Sequence, residues 1–161
     1  MAKARADGKP LVYIGFGSIT VPHPHRVTAS IVKAVLQSSS SKFPLNTLIQ
    51  RNYLFQGDVR AIITKGWSSR MQASEKDPPP EIPPECFLMD KVPHDWLFPR
   101  IDAALHHGGA GTTGASLRAG IPTLIKPWFG DQYFWASRVQ ILGVCFLISR
   151  SDEISRLTNG F

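Results

Sequence analysis

Residues 102–135 read DAALHHGGAGTTGASLRAGIPTLIKPWFGDQYFW, and the architecture of the chain is legible in this stretch. Its opening residues look like the end of a buried strand. His106 to Thr113 then combines two histidines, four small residues and two threonines. Gly108, Gly109 and Gly111 accept backbone angles closed to other residues and let main-chain N–H groups approach a ligand without an intervening Cβ. The helix expected over 112–119 aims its unpaired N–H groups and positive dipole end at the same place. Thr112 and Thr113 are N-cap candidates as well as hydroxyl donors to a phosphate. A diphosphate fits such a turn.

The glycine pattern alone does not settle this, because strand–glycine–helix turns also occur in α/β proteins that bind no nucleotide. The segment C-terminal to it adds weight. Ala119–Gly120 closes the helix, 121–125 is a short apolar strand opened by Pro122, and 127–132 (PWFGDQ) is a polar-tipped loop leading into a helix over 132–142. Two successive strand ends therefore deliver polar groups to one edge, the carboxyl edge, where open parallel sheets bind ligands.

Nearer the N-terminus, 11–14 is an apolar run leading to Gly15–Phe16–Gly17–Ser18, a first strand and tight turn. Residues 27–37 carry apolar side chains at 27, 31, 32, 35 and 36, one face of a helix lying on the sheet. Residues 59–64 form a β-branched second strand leading to Lys65–Gly66–Trp67, and 87–89 a short third strand. Proline-rich 77–84 must be a loop, and 144–148 is the last strand. Between the first helix and the second strand, 38–57 is an insertion. His23 and His25 face solvent near a turn. Residues 1–9 lack periodicity and are expected to be a linker without structure; 149–161 is expected to be a truncated C-terminal tail.

At 161 residues the length suits one domain with a real core, and 43% hydrophobic against 19% charged residues argues against disorder. The net charge of +6 favours an anionic partner such as a nucleotide diphosphate or an acidic membrane surface. The Lys and Arg are scattered, which argues against nucleic acid. Cys86 and Cys145, each in an apolar strand-like context, read as buried free thiols. With no signal peptide and no apolar run near 18 residues, a cytoplasmic setting is expected.

HHGGAGTTGASLRAGIPTLIKPWFGDQYFW (106–135), with LVYIGFGSI (11–19), ITKGWSSRM (63–71) and VPHDWLFPRID (92–102) upstream in the same order, resembles the sterol 3β-glucosyltransferases. These lie within the UDP-sugar-dependent glycosyltransferases of two-domain GT-B architecture. The resemblance implies an α/β, Rossmann-like three-layer domain with a parallel sheet over 10–148, the C-terminal, donor-binding half of such an enzyme. It implies that Gly17 and Ser18 approach the donor phosphates and that Trp67 lies near the donor. The backbone at Val92 would pair with the uracil edge, and His107 would contact a phosphate. Gly109, Ala110, Gly111, Thr112 and Thr113 would supply backbone and hydroxyl donors, and Asp131 and Gln132 would bind sugar hydroxyls. Asp90–Lys91 and Ala115–Ser116 stand where many relatives have a Trp and a ribose-binding Glu, so the base-stacking and ribose contacts have no assigned residue.

The donor implied is UDP-glucose, without cofactor or metal, since loop and helix neutralise the departing UDP and no Asp-x-Asp pair occurs. Inverting transfer also needs a general base to deprotonate the acceptor hydroxyl. In the family a His supported by an Asp supplies it from the N-terminal domain, which also holds the sterol pocket and is missing here. No catalytic residue is therefore expected in this chain; it should bind UDP-glucose and not transfer the sugar by itself, possible contact with membranes being peripheral. A redox dinucleotide domain fits poorly, because Gly15–Phe16–Gly17 lacks the third glycine and Lys65 ends the second strand. A non-catalytic module derived from a transferase half is the stronger rival.

Overall fold

A computed structural model describes residues 3–19, 23–38, 58–66, 78–143 and 145–147. Six strands form one parallel sheet: β1 (Leu11–Gly15), β2 (Arg60–Thr64), β3 (Cys86–Met89), β4 (Ala103–His106), β5 (Thr123–Ile125) and β6 (Cys145–Leu147), in the spatial order β3-β2-β1-β4-β5-β6. Tyr13 pairs with Ile62 on one side and Ala104 on the other, and Gly15 aligns with His106. β1 and β4 are buried along their whole length, as a parallel sheet covered on both faces requires.

Alternation along β1 sends Val12 and Ile14 to one face, against Ile31, Val32 and Val35 of α1 (Pro24–Ser38). Leu11 and Tyr13 point to the other, among Leu97 of the short α2 (His94–Leu97), Phe98 and Ala115 of α3 (Ala110–Ala119). Ala136 and Val139 of α4 (Gln132–Ile141) pack with Ile125. This is the three-layer α/β architecture expected from the sequence. Successive strands run outward from β1 to β3, and the chain then returns to place β4 on the other side of β1. That reversal opens a crevice at the carboxyl ends of β1 and β4, where Gly15 and His106 stand side by side.

Residues 3–9 correct the expectation of an unstructured linker. Lys3–Arg5 is a 3-10 turn, Ala4 is buried, and the Arg5 guanidinium bonds Arg100 O (2.7 Å) and pairs with Asp102 (3.1 Å). Asp7 pairs with Arg60, and Lys9 with Asp58. No local periodicity announces this, because every anchor lies far away in sequence. Cys86 is a buried free thiol as expected, pushed up to about 11 by burial. Trp67, all of the 38–57 insertion but Ser38, which ends α1, the tail over 149–161 and the side chain of Cys145 lie outside the described residues.

Candidate functional site

The site is built from two chain reversals that meet at the crevice. After β1, Gly17 takes φ +65°, and a Cβ on it would lie 3.0 Å from the His107 Cε1. After β4, a Cβ on Gly109 would lie 2.5 Å from the His107 Nε2. The His107 imidazole is therefore seated between two glycines from different strand ends, a close approach that side chains at either position would block. Gly66, after β2, closes on Gly17 O in the same manner. Burial, with a smaller contribution from a charge on His94, holds His107 below the usual imidazole range, while Asp131 opposes the shift. Its Nδ1 is buried with no partner among the described residues.

Gly108, at φ +87°, turns the chain directly into α3, so the helix starts earlier than the sequence suggested. Gly109 is the N-cap residue, in extended geometry and without a side-chain cap. Thr112 and Thr113 are therefore not N-caps but first-turn residues. Thr113 faces inward at 1% exposure, its N–H bonds Gly109 O (2.9 Å), and its buried Oγ1 has no partner among the described residues. Helix geometry leaves the N–H groups of Ala110, Gly111 and Thr112 without intrahelical acceptors. Ala110, Gly111 and Ser18 are exposed and Thr112 is half-buried, so these donors are open to solvent.

The loop after β5 joins this turn. A Cβ on Gly108 would lie 2.6 Å from Ile125 Cγ2 and 3.1 Å from Gln132 O, so the start of α4 abuts the β4–α3 turn. Gln132 is buried, and its Oε1 accepts from the Trp128 N–H (2.8 Å) and the Phe129 N–H (3.2 Å). Its acceptor braces the loop, and only its Nε2 is left for a ligand. Asp131 is exposed, with Oδ2 accepting from Trp135 Nε1 (3.0 Å). Val92 is half-buried against the Leu97–Phe98 cluster, on the segment after β3. His94 beside it does not pair with Asp95: its Nε2 meets the buried Tyr13 hydroxyl (3.1 Å), which also meets Thr64 Oγ1 (3.2 Å), while Asp95 pairs with Arg118.

The structure thus gathers Gly17, His107, Gly109 and the first turn of α3 at one point, with Asp131 and Gln132 close behind; Val92 stands on a separate segment. Sequence reasoning missed His106. It is fully buried, its Nδ1 accepts the Gly108 N–H (3.0 Å), and its Nε2 lies 3.3 Å from Ser116 Oγ. Its signal in the sequence was a histidine closing an otherwise apolar strand. Burial foremost, then charge on His107 and His94, pushes it down to about 3, so it is neutral. No group of three side chains suited to holding a metal occurs among the described residues.

This arrangement of a glycine-lined turn, a helix N-terminus and a seated imidazole suits an anion. Residues 67–159 match the family described as erythromycin biosynthesis protein CIII-like, C-terminal domain. The chain belongs to this family. Among curated relatives, the sterol 3-beta-glucosyltransferase ATG26 of Gibberella zeae is 51% identical over 149 residues, covering 89% of this chain and 9% of its own length. The sterol 3-beta-glucosyltransferase of Penicillium rubens is 52% identical over 146 residues, again 89% of this chain and 9% of its own length. The chain thus spans about a tenth of the length of these curated relatives.

Solved structures with the same fold include the calicheamicin glycosyltransferase CalG4, with TM-score 0.64 and 17% identity over 92% of this chain and 31% of that one. The glycosyltransferase VinC, solved in complex with DTDP, gives TM-score 0.58 and 24% identity over 96% of this chain and 35% of that one. The Rossmann-like sheet of this chain therefore has the same fold as a part of these glycosyltransferases. No helix among the described residues is long and apolar enough to cross a membrane.

Proposed function

We propose that this chain is the donor-binding half of a UDP-glucose:sterol 3β-glucosyltransferase, and that it holds the UDP-sugar while a further domain presents the sterol 3-hydroxyl and the catalytic base. The observation that carries the reading is the seating of His107 between Gly17 and Gly109 at the mouth of the β1/β4 crevice, beside the open N–H groups of α3. Relatives about half identical over most of this chain are named sterol 3-beta-glucosyltransferases, which supports the same reading.

In inverting transfer the acceptor oxygen attacks the anomeric carbon as the bond to the diphosphate oxygen breaks, and negative charge grows on the departing UDP. The N–H groups of Ala110, Gly111 and Thr112, the Ser18 hydroxyl and the positive end of α3 meet that charge where it develops. His107, which burial holds below the usual imidazole range, contributes a ring N–H. Asp131 and the Gln132 Nε2 hold sugar hydroxyls, and the Val92 backbone reads the uracil edge. This reading needs no metal, because backbone donors and helix dipole carry the neutralisation. It suits a cytoplasmic protein working at a membrane surface where a sterol is presented.

Calorimetric titration with UDP-glucose, UDP and GDP-mannose tests it, on the wild type and on the double variant His107→Ala/Thr112→Ala. Binding of the uridine nucleotides that the double variant loses, unchanged by EDTA, is the expected result. A folded wild type that binds neither uridine nucleotide would overturn the reading and favour a non-catalytic module.

A further inference from the structure

We infer that His106, which stands behind the crevice and out of reach of any ligand, is a positioning residue that locks the phosphate-facing turn to its helix. This rests on the donor-binding reading above. His106 is fully buried at the end of β4, and its two ring nitrogens face two different parts of the site. Nδ1 accepts the N–H of Gly108, the residue in left-handed geometry that turns the chain into α3. An acceptor nitrogen carries no proton, so the ring proton is on Nε2. That proton points to Ser116 Oγ, 3.3 Å away. Ser116 has one hydroxyl proton, and it is donated to Thr113 O at 2.9 Å. Its oxygen is therefore left to accept from His106, and the chain of donors runs in one direction, from Gly108 to His106 to Ser116 to Thr113.

The consequence is mechanical. Gly108 belongs to the turn, and Thr113 and Ser116 belong to the first turns of α3, so the imidazole ties the two into a single unit. Between its anchors lie Gly109 to Thr112, whose N–H groups must converge on the diphosphate. Nothing else among the described residues holds the Gly108 N–H, which would otherwise be a buried donor without a partner. Removing the ring nitrogens frees the turn to rotate against the helix and spreads those donors, while the nucleoside-binding segment around Val92, on another part of the chain, is untouched.

This separates a positioning role from simple structural support. His106→Asn keeps an amide oxygen near the place of Nδ1 and hence the acceptor for Gly108. His106→Leu keeps the apolar volume and removes both contacts. Affinities for UDP and for uridine are measured by chemical-shift titration, and exchange of the Gly108 amide by hydrogen exchange. His106→Leu is expected to lose about tenfold or more in UDP affinity, the scale of one charge-assisted hydrogen bond misplaced, with uridine affinity unchanged. Its Gly108 amide should exchange at least about tenfold faster, in proportion to the lost protection. His106→Asn should return the Gly108 exchange to near the wild-type rate and recover the UDP affinity in part, since the Ser116 link is still missing.

Equal losses for UDP and uridine, or no loss for either, would overturn the inference, as would a Gly108 amide that exchanges at the wild-type rate in His106→Leu. Should the leucine variant not fold, His106→Gln replaces it, since its longer amide reaches toward Ser116 and offers nothing to Gly108; the same losses are expected. If the wild type binds no UDP, the donor reading falls, and the Gly108 exchange rates alone decide whether His106 holds the turn.

Discussion

Gly111 and Gly114 make a matched pair within α3. Neither has a positive φ, and a Cβ on either meets nothing within 4 Å. Alanine at both positions is therefore free of strain, and each replacement should stabilise the fold by about 0.5–1 kcal/mol through helix propensity and the reduced freedom of the unfolded chain. For a domain of this size that is a rise in Tm of about 1–4 °C. Binding should divide them. Gly111 is the second residue of the helix, exposed among the open N–H groups, whereas Gly114 lies a turn further in.

On the proposed donor reading, a methyl at Gly111 stands in the approach of a diphosphate to the Gly111 and Thr112 N–H groups; one at Gly114 does not. Gly111→Ala should weaken UDP by about tenfold, or roughly 1.4 kcal/mol, while Gly114→Ala leaves it unchanged. Thermal unfolding by circular dichroism and calorimetric titration with UDP read the two effects. Gly111→Ala that raises Tm and leaves UDP affinity intact would show that the bare backbone there does not serve ligand approach. A fall in Tm would refute the local geometry itself.

Gly108→Ala should be far more damaging, combining a left-handed φ (about 1–2 kcal/mol) with a Cβ driven against Ile125 and Gln132 (about 1–3 kcal/mol). Gly120→Ala, left-handed but in open space, should lose only the first of these in a denaturation midpoint. Stability should also fall on acidification. Above pH 6.5 His106 is neutral in both states; below it the unfolded chain takes up a proton that the folded chain, held at about 3, refuses. Stability is then lost at up to about 1.4 kcal/mol per pH unit for this group. Urea titrations between pH 6.5 and 5, before carboxylates contribute, should show a shallower slope in His106→Asn. Tyr13→Phe should cost about 1–3 kcal/mol in the same assay, because Thr64 Oγ1 and His94 Nε2 each lose the buried hydroxyl.

Most of the sheet was legible because its signals are local. The apolar runs around Tyr13, Ile62 and Leu105 could only be buried strands, and glycines at their ends marked the turns; the structure matches these strands to within a residue or two. The helix boundary at α3 was misjudged by two residues because the left-handed φ of Gly108, at a point where a Cβ would meet Ile125 and Gln132, turns the chain into the helix before the threonines.

Amino-acid order alone establishes which segments are strands and helices, and that glycines and histidines crowd one edge, since periodicity and backbone freedom are properties of neighbouring residues. Which polar atoms remain open to a ligand is settled by folding. Thr113 turned inward, the Gln132 oxygen became a brace for the Trp128 loop, His106 became a buried link and the first residues docked through Arg5 to Arg100, 95 positions away. Each of these depends on which distant backbone group lies within about 3 Å, and packing, not local pattern, sets that distance.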